Sequence, residues 1–234
     1  NHNGLGAPPV SGWQQISLGY RNGNCGVDVD GDLHCWDVPL WNGVVFQSWP
    51  RHGGYAKVAV GDDFDEGIGL LTDGSVERWD IGGQSFSNET TYTDVAATDD
   101  LACALRVDGE LECRLSRGQS APFTLAPGPF NQITASASEL CGLRSDQSLV
   151  CFNDRTGELT RNDSGPFKTI GGVGALLPDG MVGYSGEPLD GTFADVYSSL
   201  DRACGVTTEG TIACGPLSAI APVSPPSGDR FVSL

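Results

Sequence analysis

Eight cysteines form four couples of constant separation: Cys25 and Cys35, Cys103 and Cys113, Cys141 and Cys151, Cys204 and Cys214, each ten positions apart. Such thiols could be oxidised in pairs or could hold a soft metal. No Cys-x-x-Cys couple and no Cys/His cluster of zinc spacing occurs, so oxidation to four disulfides is the chemistry expected. Catalytic signatures are missing: there is no Gly-x-Ser-x-Gly elbow, phosphate-cradling loop or dinucleotide fingerprint. The three histidines, His2, His34 and His52, form no motif with a nucleophile. Among 30 acidic residues a chance pair could still mimic a glycosidase. Asp28-Val29-Asp30-Gly31-Asp32 alternates like half of a calcium loop, but lacks that loop's leading Asp and terminal Glu. The expectation is therefore no enzyme, no cofactor and no metal.

The elements that hold these cysteines are legible. Each couple brackets a turn: Asp30-Gly31, Asp108-Gly109, Asp146-Gln147 and Glu209-Gly210. An x-Asp-Gly triplet suits a three-residue hairpin loop, a type I turn followed by a left-handed Gly. Counting out from Asp30 pairs 28 with 32, 27 with 33, 26 with 34 and 25 with 35. The cysteines then oppose each other at a non-hydrogen-bonded position, within disulfide reach. Two stretches without cysteine fit the same template, placing Ile68 opposite Arg78 and Gly174 opposite Tyr184. The next pair inward is apolar in all six: Val27/Leu33, Leu70/Val76, Leu105/Leu111, Leu143/Leu149, Leu176/Val182 and Val206/Ile212. On the other face stands a small residue: Gly26, Gly69, Ala104, Gly142, Ala175 or Gly205. Such hairpins should be packed on both sides.

Ahead of each hairpin lies an aromatic-x-x-Ile/Val strand, at Trp13, Tyr55, Tyr92, Phe130, Phe167 and Phe193. The β-branched residues are 42, 37, 38, 37 and 26 positions apart, near the roughly 40-residue period of a four-stranded propeller blade. The fold expected is all-β, a single β-propeller over 1–234 with six blades, or seven if an irregular blade closes it. The repeats would fall at 13–54, 55–91, 92–129, 130–166, 167–192 and 193–228, with a closing strand at 229–234. Both ends carry the repeat's first-strand phase, Ile16-Ser17-Leu18 and Val232-Ser233-Leu234, so they should share a blade and remove free sheet edges.

Strings such as Asp94-Val95-Ala96-Ala97, Ala102 through Gly109 and Leu111-Glu112-Cys113 resemble the regulator of chromosome condensation repeat. So do Val58 through Gly61 followed by Asp73 through Val76 and Trp79, and Leu18-Gly19 followed by Asp30-Gly31 and Cys35-Trp36. The resemblance covers about residues 13–234 and implies the propeller architecture. The cysteine-bearing hairpins are most similar to the extracellular members of the family. The chain departs from the pattern in having six clear hairpins where seven are common, and it lacks the His that often follows the first-strand Gly. No family contact residue carries over.

The chain holds 13 Lys+Arg against 30 Asp+Glu, a net charge of −17. Without clustered cations a nucleic-acid partner is excluded. No apolar stretch is long enough to cross a membrane. No signal peptide is visible, so a mature or trimmed form is expected. Paired cysteines call for an oxidising compartment, hence secretion or display at the cell surface. The sequons at Asn88 and Asn162 fall in connections between hairpins and are compatible with export. Binding is expected at the loops between first strand and hairpin. These contain Tyr20 and Arg21, then Asp62, Asp63, Phe64 and Asp65, then Asp99 and Asp100, then Glu139, and finally Arg202. Trp41 and Trp49, in the longest connection, add aromatic contacts. Such a rim suits a protein partner, cationic in character, bound by a monomeric scaffold. A lectin-like carbohydrate module is the first alternative, and a hydrolase with a carboxylate pair in the central channel the second.

Overall fold

The computed structural model describes residues 13–18, 24–36, 53–61, 67–79, 90–115, 124–136, 138–172, 174–180, 182–183, 192–198, 202–207 and 212–216. Within them six antiparallel sheets follow one another. The first comprises β1 (Trp13–Leu18), β2 (Asn24–Asp28) and β3 (Leu33–Trp36); the second β4 (Tyr55–Val60), β5 (Gly67–Leu71) and β6 (Val76–Trp79). The third comprises β7 (Tyr92–Ala97), β8 (Leu101–Arg106) and β9 (Leu111–Leu115). The fourth has β10 (Phe130–Ser136), β11 (Glu139–Arg144), β12 (Leu149–Asn153) and an outer strand, β13 (Leu159–Asp163). The fifth comprises β14 (Thr169–Gly171), β15 (Gly174–Leu176) and β16 (Val182–Gly183); the sixth β17 (Phe193–Ser198), β18 (Arg202–Thr207) and β19 (Ile212–Pro216). The first strands β1, β4, β7, β10, β14 and β17 pack side by side in that order, which makes the sheets the blades of a β-propeller. An outer fourth strand is described only in the fourth blade. The connections expected to supply the others, and the ends at 1–12 and 229–234 expected to share a blade, lie outside the described residues.

The hairpins have the expected register. Cys25 opposes Cys35, Cys103 opposes Cys113 and Cys141 opposes Cys151, and all three couples are disulfide-bonded with Cα atoms 4.0, 4.1 and 4.0 Å apart. Cys204 and Cys214 are opposed in the same way; their sulfur atoms lie outside the described residues. In the second blade Ile68 and Arg78 take the cysteine positions. There the buried Arg78 donates through Nη2 to the carbonyl of Leu115 in the next blade, 2.8 Å away.

The core is distributed between blades. Cys25, Val27, Leu33 and Cys35 pack on Tyr55, Val58 and Val60 of the second blade. Ile68, Leu70 and Val76 pack on Tyr92 and Val95 of the third, and Cys103, Leu105, Leu111 and Cys113 on Phe130 and Ile133 of the fourth. Cys141, Leu143, Leu149 and Cys151 pack on Phe167 and Ile170 of the fifth. The apolar face of each of the first four hairpins thus covers the next blade's aromatic-x-x-Ile/Val strand.

That motif has a backbone cause. In five of the six first strands the register slips by one residue directly after the aromatic, at Trp13, Tyr55, Tyr92, Phe130 and Phe193. A β-bulge converts the usual two-residue side-chain period into three, so aromatic and β-branched residue share one buried face. The ring then crosses the small residue of the second strand. A Cβ on Gly142 would stand 2.5 Å from Cδ1 of Phe130. Tyr55 and Tyr92 extend further, donating their hydroxyls to Glu77 and Glu112, residues that oppose Gly69 and Ala104. Burial first, and then Glu112, push the Tyr92 hydroxyl up to about 12. Where the aromatic is Phe130, the opposing residue is the apolar Val150.

Each of the five described turns also anchors the following blade. The carbonyls of Gly31, Gly74, Gly109, Gln147 and Gly180 accept the N–H of Tyr55, Tyr92, Phe130, Phe167 and Phe193 at 2.7–3.0 Å. The four glycines adopt φ of 82 to 84°, and Gln147 is forced to 66°. A left-handed conformation costs a non-glycine residue about 1–2 kcal/mol, partly offset by the larger unfolded-state freedom of Gly. Gln147→Gly is therefore expected to stabilise the protein by about 0.5–1 kcal/mol, readable as a higher urea midpoint at unchanged slope.

Asp28 closes the first turn as a structural group. Its carboxylate accepts the N–H groups of Asp30 and Asp32 at 2.9 Å and contacts His34 Nε2 at 2.7 Å. Burial opposes ionisation, but these hydrogen bonds outweigh it and hold the carboxyl below its usual value. Its lone pairs serve the turn, in keeping with the reading of Asp28-Asp30-Asp32 as a hairpin.

Candidate functional site

Two regions bring chemically capable side chains together. The first is the axis. In the first five blades the side chain before the β-branched residue reaches a neighbouring first strand: Gln15 Oε1 accepts from Val58 N–H at 2.9 Å and Gln132 Oε1 from Ile170 N–H at 3.1 Å. Asp94, 6 % exposed, accepts from Val95 N–H and Ile133 N–H at 2.9 Å and is paired with Lys57 Nζ. One layer on, Ser17 Oγ accepts from Val60 N–H and Thr134 Oγ1 from Gly172 N–H. These are ties between blades. Among the described residues the space left between β1, β4, β7, β10 and β14 is ≈ 80 Å³, far below the several hundred Å³ of a ligand pocket. Asp94 is the one first-strand carboxylate whose side chain is described, and its hydrogen bonds are committed to the frame.

The second region is the end of the propeller where first strands turn into hairpins. Thr98, buried, accepts on Oγ1 from the N–H groups of Asp100 and Leu101 at 3.3 and 3.0 Å, a Thr turn that fixes Asp99 and Asp100 at the loop tip. The β12–β13 loop lies beside it. Asn153 Oδ1 accepts from Arg155 N–H and Thr156 N–H, and its carbonyl from Gly157 N–H, so Arg155 projects from a closed turn in which Asp154 is buried. Asp154 N–H donates to Ser138 O at 3.0 Å. The Arg155 guanidinium donates to Asp100 across the blade boundary. That hydrogen bond, with the charges of Asp100, Asp154 and Asp99, holds Arg155 above its usual range. Between the loops opens a pocket of ≈ 480 Å³ lined by Asp100, Leu115, Thr124, Leu125, Asp154 and Arg155.

Of the residues expected from sequence, Asp99 and Asp100 lie in this rim. Glu139 opens β11 opposite Ser136 and Asn153. Arg202 opens β18 opposite Pro216, its side chain outside the described residues. Tyr20, Arg21, Asp62, Asp63, Phe64, Asp65, Trp41 and Trp49 all lie outside the described residues. Asn88 does too, whereas Asn162 is exposed on β13, in a strand where a connection was expected. Sequence reasoning missed Asp154, Arg155, Leu115 and Leu125. Asn153-Asp154-Arg155-Thr156-Gly157 carried a turn signal, but nothing local says that it meets the loop at Asp100, 55 residues away.

No family model matches the chain, and no curated protein sequence matches it. Solved structures do. The entire ectodomain of the Physcomitrella patens receptor kinase CR4 aligns with a TM-score of 0.68 at 20% identity, over 91% of this chain and 66% of that one. The WD40 ectodomain of the Arabidopsis thaliana receptor kinase ACR4 gives 0.60 at 18% identity, over 86% and 77%. Prp20p from Saccharomyces cerevisiae, a protein with binding properties to Gsp1p and histones, gives 0.64 at 13% identity, over 86% and 71%. This chain thus spans about two thirds to three quarters of their lengths, and what it shares with them is the fold.

Proposed function

We propose that this chain, whose fold is that of the regulator of chromosome condensation-like β-propellers, is a non-enzymatic scaffold that binds a protein partner at the end carrying the loops between first strand and hairpin. The single propeller domain would span 1–234, secreted or displayed at the cell surface, and act as a monomer. The observation that carries this reading is the contrast between the two ends of the blade frame. The hairpin turns are spent on tying each blade to the next, whereas the opposite rim holds charged loops and an open pocket. A frame tied this closely presents its loops with little ordering entropy to lose on docking. The contact set proposed comprises Asp99, Asp100 and Glu139, with Tyr20, Arg21, Asp62, Asp63, Phe64, Asp65, Arg202, Trp41 and Trp49 from neighbouring loops. Its acidity suits a cationic protein surface. The hairpin disulfides and the likeness to two receptor ectodomains favour the exported location. The yeast relative's partners, Gsp1p and histones, are proteins.

A lectin would be expected to repeat its contact residues from blade to blade, and these loops differ. The test is affinity purification on the immobilised chain, with a glycan array in parallel. The expected result is one protein whose association slows with salt and slows about tenfold when Asp62, Asp63 and Asp65 become Asn. A glycan hit bound with avidity, and no protein, would overturn the reading.

A further inference from the structure

We propose that the pocket between the third and fourth blades receives the side chain of a lysine or arginine from a partner protein, its methylenes on Leu115 and Leu125 and its cationic head at Asp154 and Asp100. This rests on the protein-binding reading above and names the chemistry that one subsite would take. The decisive group is Asp154. It is 4 % exposed, forms part of the pocket wall, and among the described residues neither of its carboxylate oxygens has a hydrogen-bond partner. A buried carboxylate left unpaired costs free energy that a neutral residue would not, and such a cost is typically retained where a ligand repays it. The adjacent Arg155 feels its charge but makes no hydrogen bond to it: that side chain is 69 % exposed and bonded to Asp100. An incoming cation would displace Arg155 into solvent, take over Asp100, and reach the orphaned carboxylate behind it.

The apolar lining selects the kind of cation. Leu115 is 42 % exposed at the pocket edge, and Leu125 Cδ1 lies 3.6 Å from where a Cβ on Gly157 would stand, so the missing side chain leaves a shelf open. A four-carbon stem buries apolar surface there while its head stays charged. Among the described residues no group of three His, Cys, Asp or Glu side chains could hold a metal ion, which favours the organic cation.

The test is an amide-resolved NMR titration of the intact chain with Nα-acetyl-lysine methylamide and its arginine counterpart, the norleucine derivative serving as the uncharged control. Shifts are expected at Leu115, Thr124, Leu125 and Asp154 to Gly157, with the norleucine compound at least about tenfold weaker. Asp154→Asn should abolish the lysine response and at the same time raise the thermal midpoint, a pairing that a purely structural residue would not give. Leu115→Ser, at an exposed position, should weaken the probe without changing the fold. Shifts scattered over the acidic surface, an unchanged affinity in Asp154→Asn, or a lowered midpoint in that variant would each overturn the proposal. So would CaCl2 saturating the same amides below the concentration the lysine probe needs. Because the probe needs no partner, its failure here is separable from a failure to recover any protein partner.

Discussion

Replacing Cys103 and Cys113 together by Ser is expected to lower the unfolding free energy by about 3–5 kcal/mol. The cross-link closes only a ten-residue separation, and the chain-entropy model assigns such a loop about 2–3 kcal/mol. The remainder comes from position. Both sulfurs lie at 0 % exposure among Leu105, Leu111, Phe130 and Ile133, so two hydroxyls would enter an apolar layer between blades. Cys103→Ala with Cys113→Ala separates these contributions, because it opens the cross-link without adding polar atoms, and should recover about 1–2 kcal/mol of the loss. Urea unfolding of the two double variants reads the difference. Equal losses for Ser and Ala would show that the interface between the third and fourth blades is not dry, and would undo the account of these disulfides as core packing.

Asp94→Ala should be nearly as damaging, at about 3 kcal/mol. The carboxylate accepts from two backbone N–H groups on different blades and neutralises Lys57. Alanine leaves both amides without an acceptor in a buried layer, each worth about 1 kcal/mol or more. Lys57, with 29 % of its side chain exposed, can recover part of its hydration, which keeps the ionic share small. Asp94→Asn keeps an acceptor oxygen and should lose about half as much. Hydrogen exchange gives a local readout: the Ile133 amide should exchange faster in Asp94→Ala than in the parent, while the Ile170 amide, held by Gln132, should not. Equal acceleration at both would mean that the frame loosens as a whole and that Asp94 is no local tie.

How much of this was legible in the chain differs by element. The hairpins were readable because a three-residue turn sets register locally: once Asp30-Gly31 is a turn, Cys25 must oppose Cys35. The aromatic-x-x-Ile/Val strand was readable as a pattern, but its three-residue spacing has its reason in the bulge after the aromatic. The small residue opposite it likewise finds its reason in the ring that crosses it, as Phe130 crosses Gly142. The axial ties stayed hidden. Gln15, Lys57, Asp94, Gln132 and Thr169 occupy one position of the repeat, yet only Gln occurs there twice, and each finds its partner 37 to 43 residues away.

The amino-acid order alone therefore settled the repeat, the turn of each hairpin, which cysteines oppose each other and which faces are apolar, since all of these follow from contacts within about ten positions. Only the packing of the blades decided that the core is a series of layers between them and that the described first strands leave a space of ≈ 80 Å³. It also brought Asp100 of one blade against Arg155 of the next, at a pocket that Asp154 lines as well. Those outcomes depend on how neighbouring sheets stack, and the stacking sums many weak contacts between residues far apart in the chain, so no local pattern records them.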